Sequence, residues 1–332
     1  MTVFFYFTLT FKRFSVTINT SYYRKDKTMN LEYILEELKN DKVKKVIIDS
    51  DIAIEMDDQY ALAYCLGCDK IELLSANGGT FGKGDTGDYV LGAKCCYEEF
   101  IRIFDVCGVG DKYKTYMGAT APIEYTFEPV DSPAAQNIIN TALNMPEGEI
   151  LWILATGCCT NVASAILLEP AIKEKICVIW LGGQCLDFDG KIDECNLAFD
   201  YVGGQYLINS GVPLILMPAH DNGTCVLTID FDDLAKIKGD GKVQKFFREE
   251  FPSNPRFSWN HNGKKQRILY DVAAPAILAQ PEAFKLSIIP APIFTDDCHY
   301  AFDKTRHNII YMDSLDRDSV LDMTWKFISE VK

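Results

Sequence analysis

The composition of this chain excludes several classes of protein. Its 332 residues are 48% hydrophobic, which is ample for a large core, and its formal net charge of −14 argues against nucleic acid or an anionic membrane surface as a partner. No apolar run is as long as the roughly 18 residues that a membrane-spanning helix needs. The expected partner is a neutral or cationic small molecule.

Apolar segments and helical patterns alternate along the chain from residue 29 onward. The predicted strands are 43–48, 71–76, 150–155, 176–181 and 214–217, and the predicted helices include 87–104, 134–143, 161–168 and 272–279. This βαβ order predicts an α/β fold with a doubly wound, mostly parallel sheet flanked by helices. The polar, aromatic-rich segment 239–266 is typical either of a mobile flap beside a cleft or of a surface excursion.

The two ends of this pattern set the domain boundaries. Residues 1–28 contain a short aromatic and β-branched run, but neither the basic start nor the small-residue cleavage site of a signal peptide. Met29 is followed by the amphipathic helix NLEYILEELKND. Because no linker or repeat divides the rest, we predict a disordered or non-native extension over 1–28 and one α/β domain over 29–332.

Cysteine usage indicates the cellular compartment. The twelve cysteines are spaced irregularly inside apolar stretches, which is typical of reduced, buried thiols in a cytosolic protein. Cys65 and Cys68 have the CxxC spacing of zinc and redox sites, but they lie in a predicted helix and no second pair matches them. Core packing is therefore the favoured interpretation of this pair.

The segment VIIDSDIAIEMDDQYAL, residues 46–62, carries the first chemical signal. Asp49 and Asp51 stand at the end of a predicted buried strand, and Asp57 and Asp58 open the helix that follows. Open α/β sheets bind ligands at the carboxyl ends of their strands. Four carboxylates gathered there would repel one another unless a cation lay among them, so the segment predicts a metal site.

Other interpretations of these acids stay open. Asp57 or Asp58 can simply cap a helix and complement its dipole. A DxD after a strand also occurs in Mg-dependent phosphatases and in nucleotide-sugar glycosyltransferases. A Mg-dependent phosphoryl-transfer enzyme would require Thr or Ser two residues further on, where this chain has Ala53.

Three later blocks extend the constellation. Residues 154–170 read LATGCCTNVASAILLEP, residues 178–200 contain Glu194 and Asn196 two apart, and Asp271 opens a helix after Tyr270. Each block is common by itself, and Asp271 alone would be interpreted as a helix N-cap. Their order at the ends of successive elements points to one shared site.

With these blocks in this order, the chain resembles the inosine-uridine nucleoside hydrolase family over most of residues 43–330. Further matching blocks are YMGATAP at 116–122, YDVAAPAILAQPE at 270–282 and the tail APIFTDDCHYAFDKTR. The family signature DxDPGxDDAxAL is matched from Asp49 to Leu62, with two extra residues and without the Pro-Gly, which indicates a divergent branch. The resemblance implies calcium-dependent hydrolysis of the N-glycosidic bond of a ribonucleoside by a homodimer or homotetramer.

The resemblance also implies roles for residues of this chain. The implied Ca2+ ligands are oxygen donors, which suit a hard cation: Asp51, Asp58, Asp271 and the backbone carbonyl of Thr156. Asp51 is also the implied general base. The implied ribose-binding residues are Asp57, Glu194 and Asn196. Cleavage of the N-glycosidic bond builds positive charge on the sugar, and such an acidic site stabilises that charge.

Two departures from the family pattern concern the leaving base. Many relatives have a His that protonates the leaving group, where this chain has Tyr270, whose phenol donates a proton poorly at neutral pH. Tyr270 can instead stack on the base. Thr80 stands where the family has an Asn, and Asn77 is the nearest substitute as a substrate-binding residue.

The candidate acids that remain are three histidines, His220, His261 and His299. His261 is favoured among them because aromatic and amide residues flank it in the segment 239–266. Its neighbour Trp259 can stack on a base or pack the segment onto the body.

The sequence thus predicts a cytosolic, calcium-dependent N-ribosyl hydrolase. Tyr270 and the missing Asn favour an alternative, a catalytically weakened protein that binds ribose or a nucleoside together with calcium. The intact Asp51 favours the enzyme. A Mg-dependent phosphoryl-transfer enzyme is the third possibility.

Overall fold

The structure, a computed structural model, describes residues 30–82, 87–255, 257, 259 and 264–332. The predicted extension 1–28 and His261 lie outside the described residues. The strands are β1 Lys44–Ser50, β2 Ile71–Gly78, β3 Lys114–Tyr116, β4 Leu151–Thr156, β5 Ile176–Leu181, β6 Leu214–Met217, β7 Thr228–Asp230, β8 Gln266–Ile268, β9 Phe284–Pro290, β10 Ile293–Phe294, β11 Tyr300–Ala301 and β12 Asn308–Leu315. The helices are α1 Leu31–Lys39, α2 Asp57–Gly67, α3 Tyr89–Val106, α4 Ile123–Thr126, α5 Pro133–Leu143, α6 Thr160–Leu168, α7 Cys195–Ala198, α8 Tyr201–Asn209, α9 Lys242–Lys245, α10 Ala273–Ala279 and α11 Arg317–Glu330.

The order of strands in the central sheet explains why the acids meet. Its eight strands lie in the order β3-β2-β1-β4-β5-β6-β12-β9, and all pair in parallel except β9, which is antiparallel to β12. The chain adds β2 and β3 on one side of β1 and β4 to β6 on the other, so the winding direction reverses between β1 and β4. Doubly wound sheets bind ligands at this switch point. The predicted α/β class and mostly parallel sheet are confirmed.

Alternate residues of the central strands pack on opposite faces of the sheet. Val46 and Ile48 of β1 belong to one buried apolar cluster, whereas Ile47 belongs to a second. The residues of β4 divide in the same way. Because both faces are covered, these strands appear in the sequence as continuous apolar runs rather than as alternating ones.

Helix α2 carries two acids into this core. Its first nine residues, Asp57 to Cys65, are all buried, so the helix is enclosed on every side. Asp57 and Asp58 occupy the first turn, where the positive end of the helix dipole favours carboxylates. The N-cap is Met56 and no side chain caps the helix, so the capping interpretation is wrong. The helix dipole does lower the cost of burying the two acids.

The segment 239–266 packs onto the body through its aromatic residues. Phe247, Phe251 and Phe257 are buried, and the Tyr60 hydroxyl donates a hydrogen bond to the Phe247 carbonyl at 2.6 Å. The Trp259 ring lies edge-on to Phe231, with 4.9 Å between the ring centroids. These contacts hold the described part of the segment on the body.

All twelve cysteines lie in described residues, none of them forms a disulfide, and eight are buried. Cys65 and Cys68 lie in the larger apolar cluster, and burial raises the pKa of the Cys68 thiol to about 11. This pair therefore packs the core. In the part of the chain that the structure describes, no helix is long and apolar enough to cross a membrane.

Candidate active site

A cavity of about 240 Å³ opens at the carboxyl ends of the central strands β1, β4, β5 and β6. It brings together eight of the residues that the sequence singled out as metal ligands or substrate-binding residues: Asp51, Asp57, Asp58, Thr156, Glu194, Asn196, Tyr270 and Asp271. His220, one of the candidate acids, also lines the cavity. The apolar part of the wall includes Ile54, Leu181 and Phe199.

The pairing of β1 with β4 places Asp51 beside Thr156. Asp51 follows β1 directly, Thr156 is the last residue of β4, and the register sets Ser50 opposite Thr156. The turn after Thr156 approaches so closely that a Cβ on Gly157 would lie 2.9 Å from the Asp51 backbone nitrogen. Only glycine fits this approach, which gives the Thr-Gly pair in the sequence its physical reason.

Three of the acids form a tight cluster. Asp57, Asp58 and Asp271 each offer a carboxylate oxygen, these oxygens lie within 4.8 Å of one another, and none of the three residues is more than 4% exposed. Asp58 Oδ1 accepts hydrogen bonds from the hydroxyls of Ser50 and of Thr156, the latter at 3.1 Å. The cluster is thus held by β1, α2, β4 and the turn before α10 at once.

Burial and mutual repulsion raise the pKa of each clustered carboxyl. Burial raises the pKa of Asp58 to about 6, although hydrogen bonds from its neighbours oppose the shift. For Asp51, Asp57 and Asp271, burial and then repulsion by the neighbouring acids hold the pKa well above its usual range. The charges of Asp57 and Asp58 beside it oppose ionisation of Asp271.

The donor set fits a hard divalent cation. Carboxylate and hydroxyl oxygens surround the cluster, and among the described residues neither His nor Cys belongs to it. A cation bound there would favour the ionised carboxylates and offset the repulsion that raises their pKa values. Asp57 also offers an oxygen within 4.8 Å of those of Asp58 and Asp271, so it lies near any ion bound there.

Glu194 and Asn196 line the cavity from the loop that follows β5. The Glu194 carboxylate accepts N–H hydrogen bonds from Gly183 at 2.8 Å, Asn196 at 2.8 Å and Leu197 at 3.0 Å, and so caps α7. Burial nevertheless raises the pKa of Glu194 to about 7. Asn196 Nδ2 donates to the Leu181 carbonyl at 3.0 Å, which leaves its Oδ1 without a hydrogen-bond partner among the described residues.

The two acids of the DxD pair have separate environments. Asp51 lines the cavity, whereas Asp49 is fully buried and accepts hydrogen bonds from Asn77 Nδ2 and Asn161 Nδ2, both at 3.1 Å. Asn77 stands opposite Asp49 in the β1–β2 register, and its Oδ1 accepts from Asn137 at 2.9 Å. Asn77 is therefore used within a buried polar network and does not line the cavity, which differs from its predicted role.

The other aromatic and histidine candidates separate in space. Trp259 packs against Phe231 and does not line the cavity, because its ring holds the segment 239–266 on the body. His299 lies outside the cavity and is paired with Asp297, 3.5 Å from Nδ1 to the carboxylate. His220 is the histidine that the described structure places in the cavity wall.

Sequence reasoning missed several residues of the wall and the buried network behind it. Cys195 and Phe199 line the cavity, and the position of Cys195 between Glu194 and Asn196 was the available signal. Asn161 of the TGCCTN block donates to Asp49 and accepts from the Ala119 backbone N–H at 2.8 Å. Asn161 can be identified in the sequence, but its role cannot, because its hydrogen-bond partners Asp49 and Ala119 lie far away in the chain.

The fold and the cavity together define an α/β protein with a buried, all-oxygen acid cluster at the switch point of a doubly wound sheet. Residues 46–322 match the family model described as inosine-uridine preferring nucleoside hydrolase. The chain therefore belongs to this nucleoside hydrolase family, which confirms the resemblance inferred from the sequence.

Individual relatives agree with this assignment. A probable ribonucleoside hydrolase of Dictyostelium discoideum is 28% identical over 181 residues, which are 50% of this chain and 50% of that protein, so the chain spans about half the length of this curated relative. A plant nucleoside hydrolase structure matches with a TM-score of 0.68 and 16% identity, covering 86% of this chain and 99% of that one. A purine-preferring ribonucleoside hydrolase from Gardnerella vaginalis matches with a TM-score of 0.66 and 18% identity, covering 87% of this chain and 99% of that one. At these identities the solved structures establish a shared fold.

Proposed function

We propose that this protein hydrolyses the N-glycosidic bond of a ribonucleoside and releases the free base and ribose, with Ca2+ held at the acid cluster. The observation that carries the proposal is the cavity that unites Asp57, Asp58 and Asp271 with Asp51 and Glu194. Membership of the nucleoside hydrolase family supports the reaction class.

The charge of the cavity suits this reaction. Breaking the C1′–N bond builds positive charge on the sugar, as in glycoside hydrolysis. Several buried carboxylates converge on the cavity, and fixed charges at a site that excludes water stabilise a developing cation strongly. The phosphoryl-transfer alternative is disfavoured because Ala53 occupies the position where it requires Thr or Ser.

The residues proposed to hold calcium are Asp51, Asp58, Asp271 and the Thr156 carbonyl, with Asp57 close to the same ion. When bound, calcium supplies positive charge that holds a water molecule and the sugar diol at the cluster and favours loss of a proton from that water. Asp51 is then the base that accepts the proton, because it lines the cavity without a side-chain hydrogen bond to another described residue.

Two further side chains are proposed to grip the ribose. Glu194 offers carboxylate oxygens fixed by three backbone N–H groups, and Asn196 offers its free Oδ1. Because both are locked before substrate arrives, little side-chain entropy is lost on binding. Hydrogen bonds to sugar hydroxyls would also reject substrates that lack those hydroxyls.

The decisive experiment incubates the calcium-loaded full chain with inosine, adenosine, uridine, cytidine and their 2′-deoxy counterparts. Free base and reducing sugar are measured together, so that hydrolysis is distinguished from simple binding. We expect release of both from at least one ribonucleoside, no release after chelation of calcium, and little release from the deoxy compounds. Absence of release from every ribonucleoside would contradict the proposal.

Tyr270 favours a second candidate, a calcium-dependent protein that binds ribose or a nucleoside with weak catalysis. Burial and the nearby Asp57 carboxylate raise the pKa of the Tyr270 phenol above its already high usual value, so the phenol is a poor proton donor. Calorimetric binding of a nucleoside without release of base would identify this candidate. We further propose a cytosolic homo-oligomer with one domain over residues 29–332.

A further inference from the structure

His220 lies in a tightly closed loop after β6, here called the 218–225 loop. Backbone N–H groups of Thr224 and Cys225 donate to the carbonyls of Pro218 and Ala219, at 2.9 Å and 2.8 Å. The His220 carbonyl accepts from the Gly223 N–H at 2.9 Å and from Cys185 Sγ at 2.8 Å. The backbone that carries the imidazole is therefore fixed from several sides.

Two residues of the loop have backbone positions that few residue types can adopt. Asp221 has φ of +57°, a left-handed conformation that is uncommon for residues other than glycine. A Cβ on Gly223 would lie 2.1 Å from the Pro218 carbonyl oxygen, so glycine is required there. Strained backbone of this kind persists where the surrounding structure over-determines it, and it concentrates at functional sites.

The imidazole of His220, unlike its backbone, has no hydrogen-bond partner among the described residues. The His220 side chain is exposed at the cavity, and it makes no hydrogen bond or ion pair with the described residues. A fixed backbone that presents an uncommitted imidazole to a cavity is arranged for a ligand rather than for packing.

His220 lines the cavity from the end of β6. Its strand β6 is three strand spacings of about 4.8 Å from β1, which leads to Asp51. Ala219 and Phe199 line the wall with it and give an apolar, aromatic surface that suits a planar ring. With the ribose at the acid cluster, the base would lie at this end of the cavity.

We propose that His220 is the catalytic residue that protonates the departing base, an inference that rests on the proposed nucleoside hydrolysis. As the C1′–N bond breaks, its electron pair passes to the base, and an imidazolium N–H of His220 gives its proton to a ring nitrogen or oxygen of that base. The oxygen of water forms the new bond to C1′, and Asp51 accepts the proton that this water loses. Solvent returns a proton to His220 at the open mouth of the cavity.

The other candidate donors among the described residues fit this role less well. His299 lies outside the cavity, and Tyr270 directly precedes Asp271 of the acid cluster, where the ribose is proposed to bind. Imidazole is the commonest general acid of enzymes at neutral pH. His220 of the 218–225 loop is thus the proposed proton donor, whereas Tyr270 lies beside the carboxylate cluster.

The test compares His220→Gln with the matched control His299→Gln in the calcium-loaded full chain. Each protein is assayed with a ribonucleoside cleaved by the wild type and with p-nitrophenyl riboside, whose leaving group needs no protonation. We expect His220→Gln to lower kcat for the nucleoside by roughly 10²-fold or more and to leave cleavage of the nitrophenyl compound unchanged. His299→Gln should match the wild type on both substrates.

The outcomes separate this inference from the proposed function. If the wild type cleaves neither substrate, the hydrolase proposal fails. If His220→Gln retains full nucleoside turnover, or loses activity equally on both substrates, His220 is not the acid although the hydrolase proposal stands. A wild type that cleaves only the nitrophenyl compound would likewise overturn the role of His220. Thermal unfolding of His220→Gln at the wild-type midpoint confirms that the exposed substitution leaves the fold intact.

Discussion

Asp51 and Asp57 line the same cavity but are proposed to do different work. Asp51 follows β1 and lines the cavity. Asp57 lies in the first turn of α2 and forms a cluster with Asp58 and Asp271. Both carboxyls have a raised pKa because of burial first and neighbouring acids second. Their amide variants keep one oxygen and remove the charge, so the two roles can be compared directly.

We predict that Asp51→Asn lowers turnover by roughly 10²-fold or more, the usual scale for loss of a general base. Calcium should still bind, more weakly, because the amide oxygen remains a ligand. Asp57→Asn, which keeps an oxygen near the ion, should weaken calcium binding less than Asp51→Asn does and chiefly raise KM for the nucleoside. Steady-state kinetics and calcium calorimetry of both variants test this division, and equal losses in both measurements would contradict it.

Tyr270 provides a second prediction at the residue scale. The Tyr270→Phe variant keeps the ring and removes only the hydroxyl, so a residue that stacks on the base should lose little. We expect kcat within a few-fold of the wild type on nucleosides and on p-nitrophenyl riboside alike. A nucleoside-specific loss comparable to that predicted for His220→Gln would instead make Tyr270 the proton donor.

At the scale of elements, the 218–225 loop shows how a short connection can position a side chain. β6 has only four residues, and the loop after it folds back so that the Ala219 N–H donates to the Gly183 carbonyl at 2.9 Å. This bond ties the loop to the end of β5, which also leads to Glu194. The hydrogen bond therefore links two walls of the cavity.

We predict that Gly223→Ala displaces this loop, because the added Cβ meets the Pro218 carbonyl oxygen. Overpacking of this kind costs about 1–3 kcal/mol, which a lower midpoint of thermal unfolding would report. Nucleoside turnover should fall more than cleavage of p-nitrophenyl riboside, while calcium affinity should be unchanged because the loop supplies no ligand. Wild-type kinetics in this variant would show that the closure does not position His220.

At the scale of the whole molecule, the acid cluster links stability to calcium and to pH. A carboxyl whose folded pKa lies above its unfolded value stabilises the fold when protonated, and this contribution is lost as the pH rises through the folded pKa. The folded pKa of Asp58 is about 6 in the metal-free site. Calcium must displace these protons, so it should stabilise the protein weakly near pH 5 and strongly above about pH 7.

We predict that the calcium-induced rise in the thermal midpoint grows from about pH 5 to about pH 8. Asp58→Ala and Asp271→Ala should abolish both the rise and hydrolysis, since each removes a charged oxygen ligand. The exposed Asp69→Asn is the matched control and should behave as the wild type. Near-normal calcium affinity in either Ala variant would show that the ligand assignment is wrong.

A final prediction concerns the boundary of the domain. Helix α1 begins at Leu31, and its N-cap Asn30 accepts a hydrogen bond from the Tyr33 N–H at 2.8 Å. A chain that starts at Met29 keeps this cap, so we expect it to unfold at the same temperature as the full chain. A midpoint lower by several degrees, on the order of 1 kcal/mol or more, would mean that residues 1–28 stabilise the fold.

Much of the fold followed from local patterns. The predicted strands 176–181 and 214–217 coincide with β5 and β6, because strands covered on both faces leave uninterrupted apolar runs. The edge strands β3 and β9 were missed. β3 has three residues and β9 is buried mainly at its first residue, so neither leaves such a run.

The sequence by itself determined the α/β class, the family and most of the acids that line the cavity, because apolar periodicity and the order of motifs are properties of neighbouring residues. Only the tertiary structure decided which side chains share an environment. The β1–β2 register sets Asn77 against Asp49 and removes it from the cavity, and the closure of the 218–225 loop brings His220 into the cavity. Strand register and loop closure depend on partners far away in the chain, so no local pattern encodes them.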